Sequence, residues 1–211
     1  MARRPINTFE DVVSVDVPTE LLQTAVQGQS IYSKIVPLAP GRYRLNIVAK
    51  DIVGGNMTTY EQALDVPGLE DDKLAASTLI LADLLEKVPT KSIGNGPFVI
   101  GSSKVRPRMN ETFKRDEKLG IYLQLYNFEG DEKTRKPEGT IDYEIVKAGT
   151  NEKVFEFSEE VSTLPGGASQ ITVEKLLPLQ NLVPGQYMLK MKVTDKKRNQ
   201  TITPSAAFTV V

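Results

Sequence analysis

One stretch of this 211-residue sequence occurs twice. Residues 38–51 read Leu-Ala-Pro-Gly-Arg-Tyr-Arg-Leu-Asn-Ile-Val-Ala-Lys-Asp, and residues 182–195 read Leu-Val-Pro-Gly-Gln-Tyr-Met-Leu-Lys-Met-Lys-Val-Thr-Asp. Leu38, Pro40, Gly41, Tyr43, Leu45 and Asp51 recur as Leu182, Pro184, Gly185, Tyr187, Leu189 and Asp195, at a constant offset of 144 residues. Six identities in fourteen ungapped positions are read most simply as two copies of one domain type.

The repeated piece has a readable physics. Pro-Gly marks a turn, because Pro fixes φ and Gly accepts φ > 0. Strict alternation follows. Tyr187, Leu189, Met191 and Val193 share one face, with Lys190, Lys192 and Thr194 on the other, the pattern of a half-buried antiparallel strand. Tyr43, Leu45, Ile47 and Ala49 repeat it. Each strand ends at an Asp and a polar turn, then enters a second extended run, 58–66 or 201–211. Both copies therefore predict β-hairpins. A Tyr just after the entry turn matches the tyrosine corner of immunoglobulin-like sandwiches, which makes each hairpin strands F and G.

Upstream of the second hairpin the chain supplies a whole sandwich. Extended segments are expected at 98–105, 119–128, 140–147, 154–157 and 170–177, with Phe155 and Phe157 inward and a polar loop at 129–139. With the hairpin this makes about seven strands over residues 97–211. The first copy has less chain to work with. Residues 1–70 hold the runs 12–17 and 30–38 and the hairpin, about four strands in all, which leaves an open edge and an uncovered apolar face. Residues 71–96 connect the copies and are expected to bring the first strand of the second domain. Within them, 74–88 fits a helical stripe (Leu74, Thr78, Leu81, Leu85, Val88) or a buried strand around 78–82. The predicted fold is all-β: tandem immunoglobulin-like sandwiches, the first incomplete. Because the chain begins almost inside a strand, it is expected to be the C-terminal part of a longer protein.

Composition closes off much chemistry. There is no His and no Cys, which removes imidazole bases, thiolate nucleophiles, disulfides and nearly all zinc, copper and haem ligation. Twenty-six basic against twenty-seven acidic residues lack the basic excess of a nucleic-acid binder. The longest apolar run, Leu79-Ile80-Leu81-Ala82, is far short of a membrane span, and no signal peptide is visible behind Met1-Ala2-Arg3-Arg4-Pro5.

Several segments taken in order resemble a bacterial family. They are Thr8-Phe9-Glu10-Asp11, the Pro40-Gly41-x-Tyr43-x-Leu45 turn and strand, Ser77-Thr78-Leu79-Ile80-Leu81-Ala82, Val105-x-Pro107, and Ile121-Tyr122-Leu123-Gln124-Leu125-Tyr126-Asn127. Together they look like the C-terminal immunoglobulin-like region of GWxTD-domain, acidobacterial-type proteins. The resemblance implies tandem β-sandwiches of unknown function, a strand at 78–82, and an envelope or exported setting for the parent protein. The chain has no Trp, so the GWxTD segment itself is absent, and no catalytic residue carries over.

Each candidate site has a plainer reading beside it. Glu70-Asp71-Asp72 offers oxygen ligands for Ca²⁺, but lacks D-x-D-x-D spacing and sits beside Lys73, so it reads as a solvated linker. Asp51 and Asp195 read as caps of their turns. Lys133, Arg135 and Lys136, and Lys196, Lys197 and Arg198, suit phosphates, yet lie at loop tips among acids. Tyr122, Tyr126, Phe128 and Tyr143 suit a stacking platform or, more simply, core and cross-strand pairs. Asn56, Asn110 and Asn199 begin N-x-Thr sequons, which carry no meaning in a bacterial chain. No catalytic, cofactor-binding or metal residue is assigned. The expected function is a non-enzymatic interaction or structural module, which meets a protein partner or its own kind through the open sheet edge of the first domain. Nucleic-acid binding and membrane insertion are not expected. The alternative is a glycan- or Ca²⁺-binding accessory module.

Overall fold

The structure is a computed structural model and describes residues 5–14, 16–21 and 30–211. The chain divides into two compact units, Met1–Val36 and Pro37–Val211. In the first, the described residues form one 3₁₀ turn, Thr19–Leu21. Asp11 accepts bonds from the Tyr32 hydroxyl and from Lys34 Nζ, the latter at 2.8 Å. The strands expected over 12–17 and 30–38 are not formed among the described residues, and Val15 lies outside them. An extended run becomes a strand only where a neighbour takes its backbone donors and acceptors. Neither run has such a neighbour among the described residues. Of the four strands expected in the first copy, two are present among the described residues.

The second unit carries fifteen strands: β1 (Gly41–Lys50), β2 (Met57–Val66), β3 (Ala75–Ala76), β4 (Ile80–Lys87), β5 (Val99–Ile100), β6 (Ser103–Pro107), β7 (Thr112–Phe113), β8 (Lys118–Tyr126), β9 (Gly139–Lys147), β10 (Lys153–Glu160), β11 (Gly166–Gly167), β12 (Gln170–Pro178), β13 (Gly185–Asp195), β14 (Gln200–Ile202) and β15 (Ser205–Val210). Among the described residues, strands β1 and β2 pair with each other alone. The rest make two sheets, β11-β12-β8-β4-β6-β5 with β3 beside β8, and β10-β9-β13-β15-β7 with β14 beside β13. All pairs are antiparallel except β15 with β7. The fold is an all-β sandwich.

Alternation decides which side chains meet between the sheets. Leu119, Ile121, Leu123 and Leu125 of β8, with Ile171 and Val173 of β12, face Ile141, Tyr143 and Ile145 of β9, Tyr187, Leu189, Met191 and Val193 of β13, and Phe208 and Val210 of β15. Phe208 stacks on Tyr187, with ring centroids 5.5 Å apart, and meets Phe113 edge-on at 6.3 Å. Phe155 packs against this core. Phe157 shares its face, opposite Tyr143, but stays half exposed because β10 closes the sheet edge.

Residues 75–76 and 80–87 are strand, not helix. Their donors and acceptors go to β8 on one side and β6 on the other. The single extended segment expected at 98–105 is instead the β5–β6 hairpin, folded at Gly101, whose φ is 59°. The run 201–211 breaks at Pro204 into β14 and β15, since Pro has no N–H for the ladder. The carbonyl of Pro204 accepts the Met191 N–H at 2.9 Å.

Candidate interaction surface

The two copies of the repeat have the same local construction. The Tyr187 hydroxyl donates to the Val183 carbonyl at 2.6 Å, and the Tyr43 hydroxyl donates to the Ala39 carbonyl at 2.7 Å. Both are tyrosine corners spanning four residues, at positions 144 apart. Both Asp residues cap their turns. Asp51 Oδ1 accepts the Val53 N–H at 2.9 Å, and Asp195 Oδ1 accepts the N–H groups of Lys197 and Arg198 at 2.9 and 3.0 Å. Asp195 is fully buried and also takes the Glu129 N–H on Oδ2 at 2.9 Å, which ties the β13–β14 turn to the loop after β8.

The surroundings of the two copies differ. Strand β13 lies between β9 and β15, and its inward side chains are buried. Strand β1 has β2 on one side and, among the described residues, no strand on the other. The β1–β2 ribbon is ten pairs long without a bulge, from Gly41↔Val66 to Lys50↔Met57. Its apolar face joins Tyr43, Leu45, Ile47 and Ala49 to Leu64, Gln62, Tyr60 and Thr58. Tyr43, Leu45 and Leu64 near the base are half-buried. Toward the turn the side chains of this face open to solvent, with Ile47 44% and Tyr60 55% exposed, and Val53 in the turn itself is 99% exposed. The opposite face is mixed, with exposed Val48 and Met57 near the turn, and its charges are asymmetric. Strand β1 presents Arg42, Arg44 and Lys50 there, and β2 presents Glu61 and Asp65. Arg44 pairs with Glu61 at 2.8 Å.

A clamp fixes the chain between ribbon and sandwich. Asn127 Nδ2 donates to the Glu70 carbonyl at 2.8 Å, Arg198 Nη1 to the Asp71 carbonyl at 2.9 Å, and Gln200 Nε2 to the Asp72 carbonyl at 2.9 Å. Gln200 Oε1 accepts the Leu74 N–H at 2.7 Å. The acidic run 70–72 is thus held by its backbone, while Glu70 pairs with Lys73 at 2.7 Å. Among the described residues, no group of three or more carboxylates is gathered for a metal ion.

The other sequence candidates are absorbed by structure. Tyr122, Phe128 and Tyr143 are buried, and Tyr126 hydrogen-bonds Gln124 at 2.6 Å. In one basic cluster, Lys196 pairs with Glu160 at 3.0 Å and Arg198 with Glu129 at 3.6 Å. In the other, Asp131 Oδ1 accepts the N–H groups of Lys133 and Thr134. The Thr134 N–H, ahead of the other contacts, holds the Asp131 carboxyl below its ordinary value. Asn110 closes its own turn onto the Thr112 N–H at 3.2 Å.

Sequence reasoning missed a Lys87–Ser103–Glu174 cluster. Lys87 Nζ lies 2.6 Å from Glu174 and 3.0 Å from Ser103 Oγ, which donates to Glu174. A cavity of about 320 Å³ runs past Lys87, Pro89 and Gly96. Ser103 is 1% exposed and does not line it, so its hydroxyl is spent on holding β6 to β12. The three residues are far apart in sequence, and no local spacing signals them.

No family model matches the chain, and no curated protein matches it. Among solved structures, 65% of the chain is similar to a family 123 glycoside hydrolase from Clostridium perfringens, at 11% identity and a TM-score of 0.30. The match spans 27% of that enzyme's length, and similarity at this level carries no argument about activity.

Proposed function

We propose that the chain is a non-enzymatic interaction module, in which the sandwich is a stiff base and the β1–β2 ribbon is the docking element. The observation that carries this reading is the ribbon's exposed apolar end, with Ile47 and Tyr60 on one face, Val48 and Met57 on the other and Val53 in the turn. A two-stranded hairpin is marginal in water by itself, and clustered exposed apolar groups mark contact surfaces. The copy at β13–β15 supports the reading, because there the face equivalent to that of Leu45 and Ile47 is buried by a second sheet. The sealed Ser103 hydroxyl and the absence of His and Cys favour binding over catalysis. The GWxTD resemblance adds a setting in a bacterial envelope or exported protein, with the first copy as a partial immunoglobulin-like domain.

The test is selection of extended peptides from a random display library against the full chain. The reading expects binders that lose affinity when Ile47→Lys and Tyr60→Lys are introduced together and keep it when Lys118→Ala is introduced on the sandwich. Binders indifferent to the ribbon substitutions would refute it.

A further inference from the structure

The chain contains a worked example of how this ribbon is completed. In the sandwich, β9 adds to the free side of β13 in antiparallel register, from Tyr187↔Lys147 to Asp195↔Gly139. On the core face, Leu189 meets Ile145, Met191 meets Tyr143 and Val193 meets Ile141. On the outer face, Lys190 meets Glu144 and Lys192 meets Asp142. The added strand therefore alternates apolar with acidic residues against a basic neighbour. Moved by the repeat offset, the same register places Ile145 against Leu45, Tyr143 against Ile47 and Ile141 against Ala49. The acids fall beside Asn46 and Val48, diagonal to Arg44 and Lys50, within reach of long side chains.

Resting on the docking role of the ribbon, we propose that the free edge of β1 binds an antiparallel strand from another protein, apolar toward Leu45 and Ile47 and acidic toward Arg42, Arg44 and Lys50. The edge is chosen by charge: β1 carries only basic ionised groups on its outer face, and β2 carries Glu61 and Asp65. A second copy of this chain is disfavoured on two grounds. Antiparallel pairing of β1 with β1 of a second copy would set Arg42, Arg44 and Lys50 of both strands on one face, where like charges repel. Pairing β1 of one copy with β2 of the next would satisfy charge but would repeat without closing. A strand added at the edge gains main-chain hydrogen bonds as well as side-chain contacts.

The experiment uses the full chain and a peptide of residues 140–147, Thr-Ile-Asp-Tyr-Glu-Ile-Val-Lys, followed by fluorescence anisotropy and by amide exchange. The expected result is peptide-dependent protection of amides in Gly41–Lys50. Binding should weaken about tenfold when the peptide carries Asp142→Lys and Glu144→Lys, and should be lost in the Ile47→Lys chain with its unfolding midpoint unchanged. Equal binding of the lysine peptide, or protection on Met57–Val66 instead, would overturn this inference and leave the ribbon's docking role standing. Protection confined to the sandwich, failure of both peptides to bind, or self-association of the free chain would overturn the inference, and indifference of library binders to the ribbon separately decides the docking role.

Discussion

Removing one oxygen atom from each tyrosine corner separates the two copies of the repeat. Tyr187→Phe and Tyr43→Phe delete equivalent bonds, 2.6 and 2.7 Å long, to the carbonyl four residues upstream. Tyr187 is 2% exposed and stacked on Phe208, so water is poorly placed to replace the lost donor at Val183. A buried hydrogen bond lost in this way costs about 1–2 kcal/mol. For a chain of this size that is a fall in Tm of roughly 3–6 °C. The Tyr43 bond is exposed to solvent, water takes the place of the phenol, and the expected cost is within about 0.5 kcal/mol. Urea unfolding of the three proteins, followed by circular dichroism at fixed temperature, measures both values. Equal losses would refute the reasoning, because they would mean that the Tyr43 corner is already packed as tightly as the Tyr187 corner.

Gly139→Ala should destabilise by about 1–3 kcal/mol, read from the urea midpoint, because a Cβ there would lie 2.2 Å from the Thr194 carbonyl oxygen and 2.9 Å from the Phe128 ring. Burial first, then the hydrogen bond to Glu159, raises the Tyr143 phenol above its ordinary value. The folded state therefore favours the protonated form, and this stability is fully present below about pH 10 and lost as the pH rises beyond it. The urea midpoint should fall across that range, with a smaller slope in Tyr143→Phe. Gln200→Ala removes two linker bonds, to Asp72 and from Leu74. It should speed limited proteolysis within 67–74 while lowering Tm by only a few degrees, and an unchanged cleavage rate would contradict the clamp.

The parts of this fold that the sequence announces are those fixed by nearest neighbours. Alternation at Tyr187, Leu189, Met191 and Val193 requires one buried face whatever lies opposite. The Asp that ends each repeated segment caps its own turn, as local spacing requires; that Asp195 also holds the Glu129 N–H has no local signal. The sheet partners were less visible. The parallel β7, Thr112–Phe113, is two residues long, too short for any period. The runs 12–17 and 30–38 are apolar enough for strands, yet apolar content does not supply a neighbour. Residues 74–88 suited helix or strand because four apolar residues in a row satisfy both periods, and pairing with β8 and β6 decided between them. The linker clamp joins residues more than a hundred positions apart, Asp71 to Arg198 and Asp72 to Gln200, through side chains that resemble ordinary surface groups. That the exposed apolar groups gather at the turn end of the ribbon became visible only with the register in hand.

Backbone amide exchange of the free, monomeric chain tests the central claim most directly, by comparing Gly41–Lys50 with Gly185–Asp195 residue by residue at the 144-residue offset. Amides of β13, bonded on both sides within the sandwich, should exchange at rates near those set by global unfolding. Those of β1 should exchange orders of magnitude faster, with the greatest difference at Ile47 to Lys50. Protection of β1 equal to that of β13 in the monomer would show that the ribbon is already covered, and that it awaits no partner.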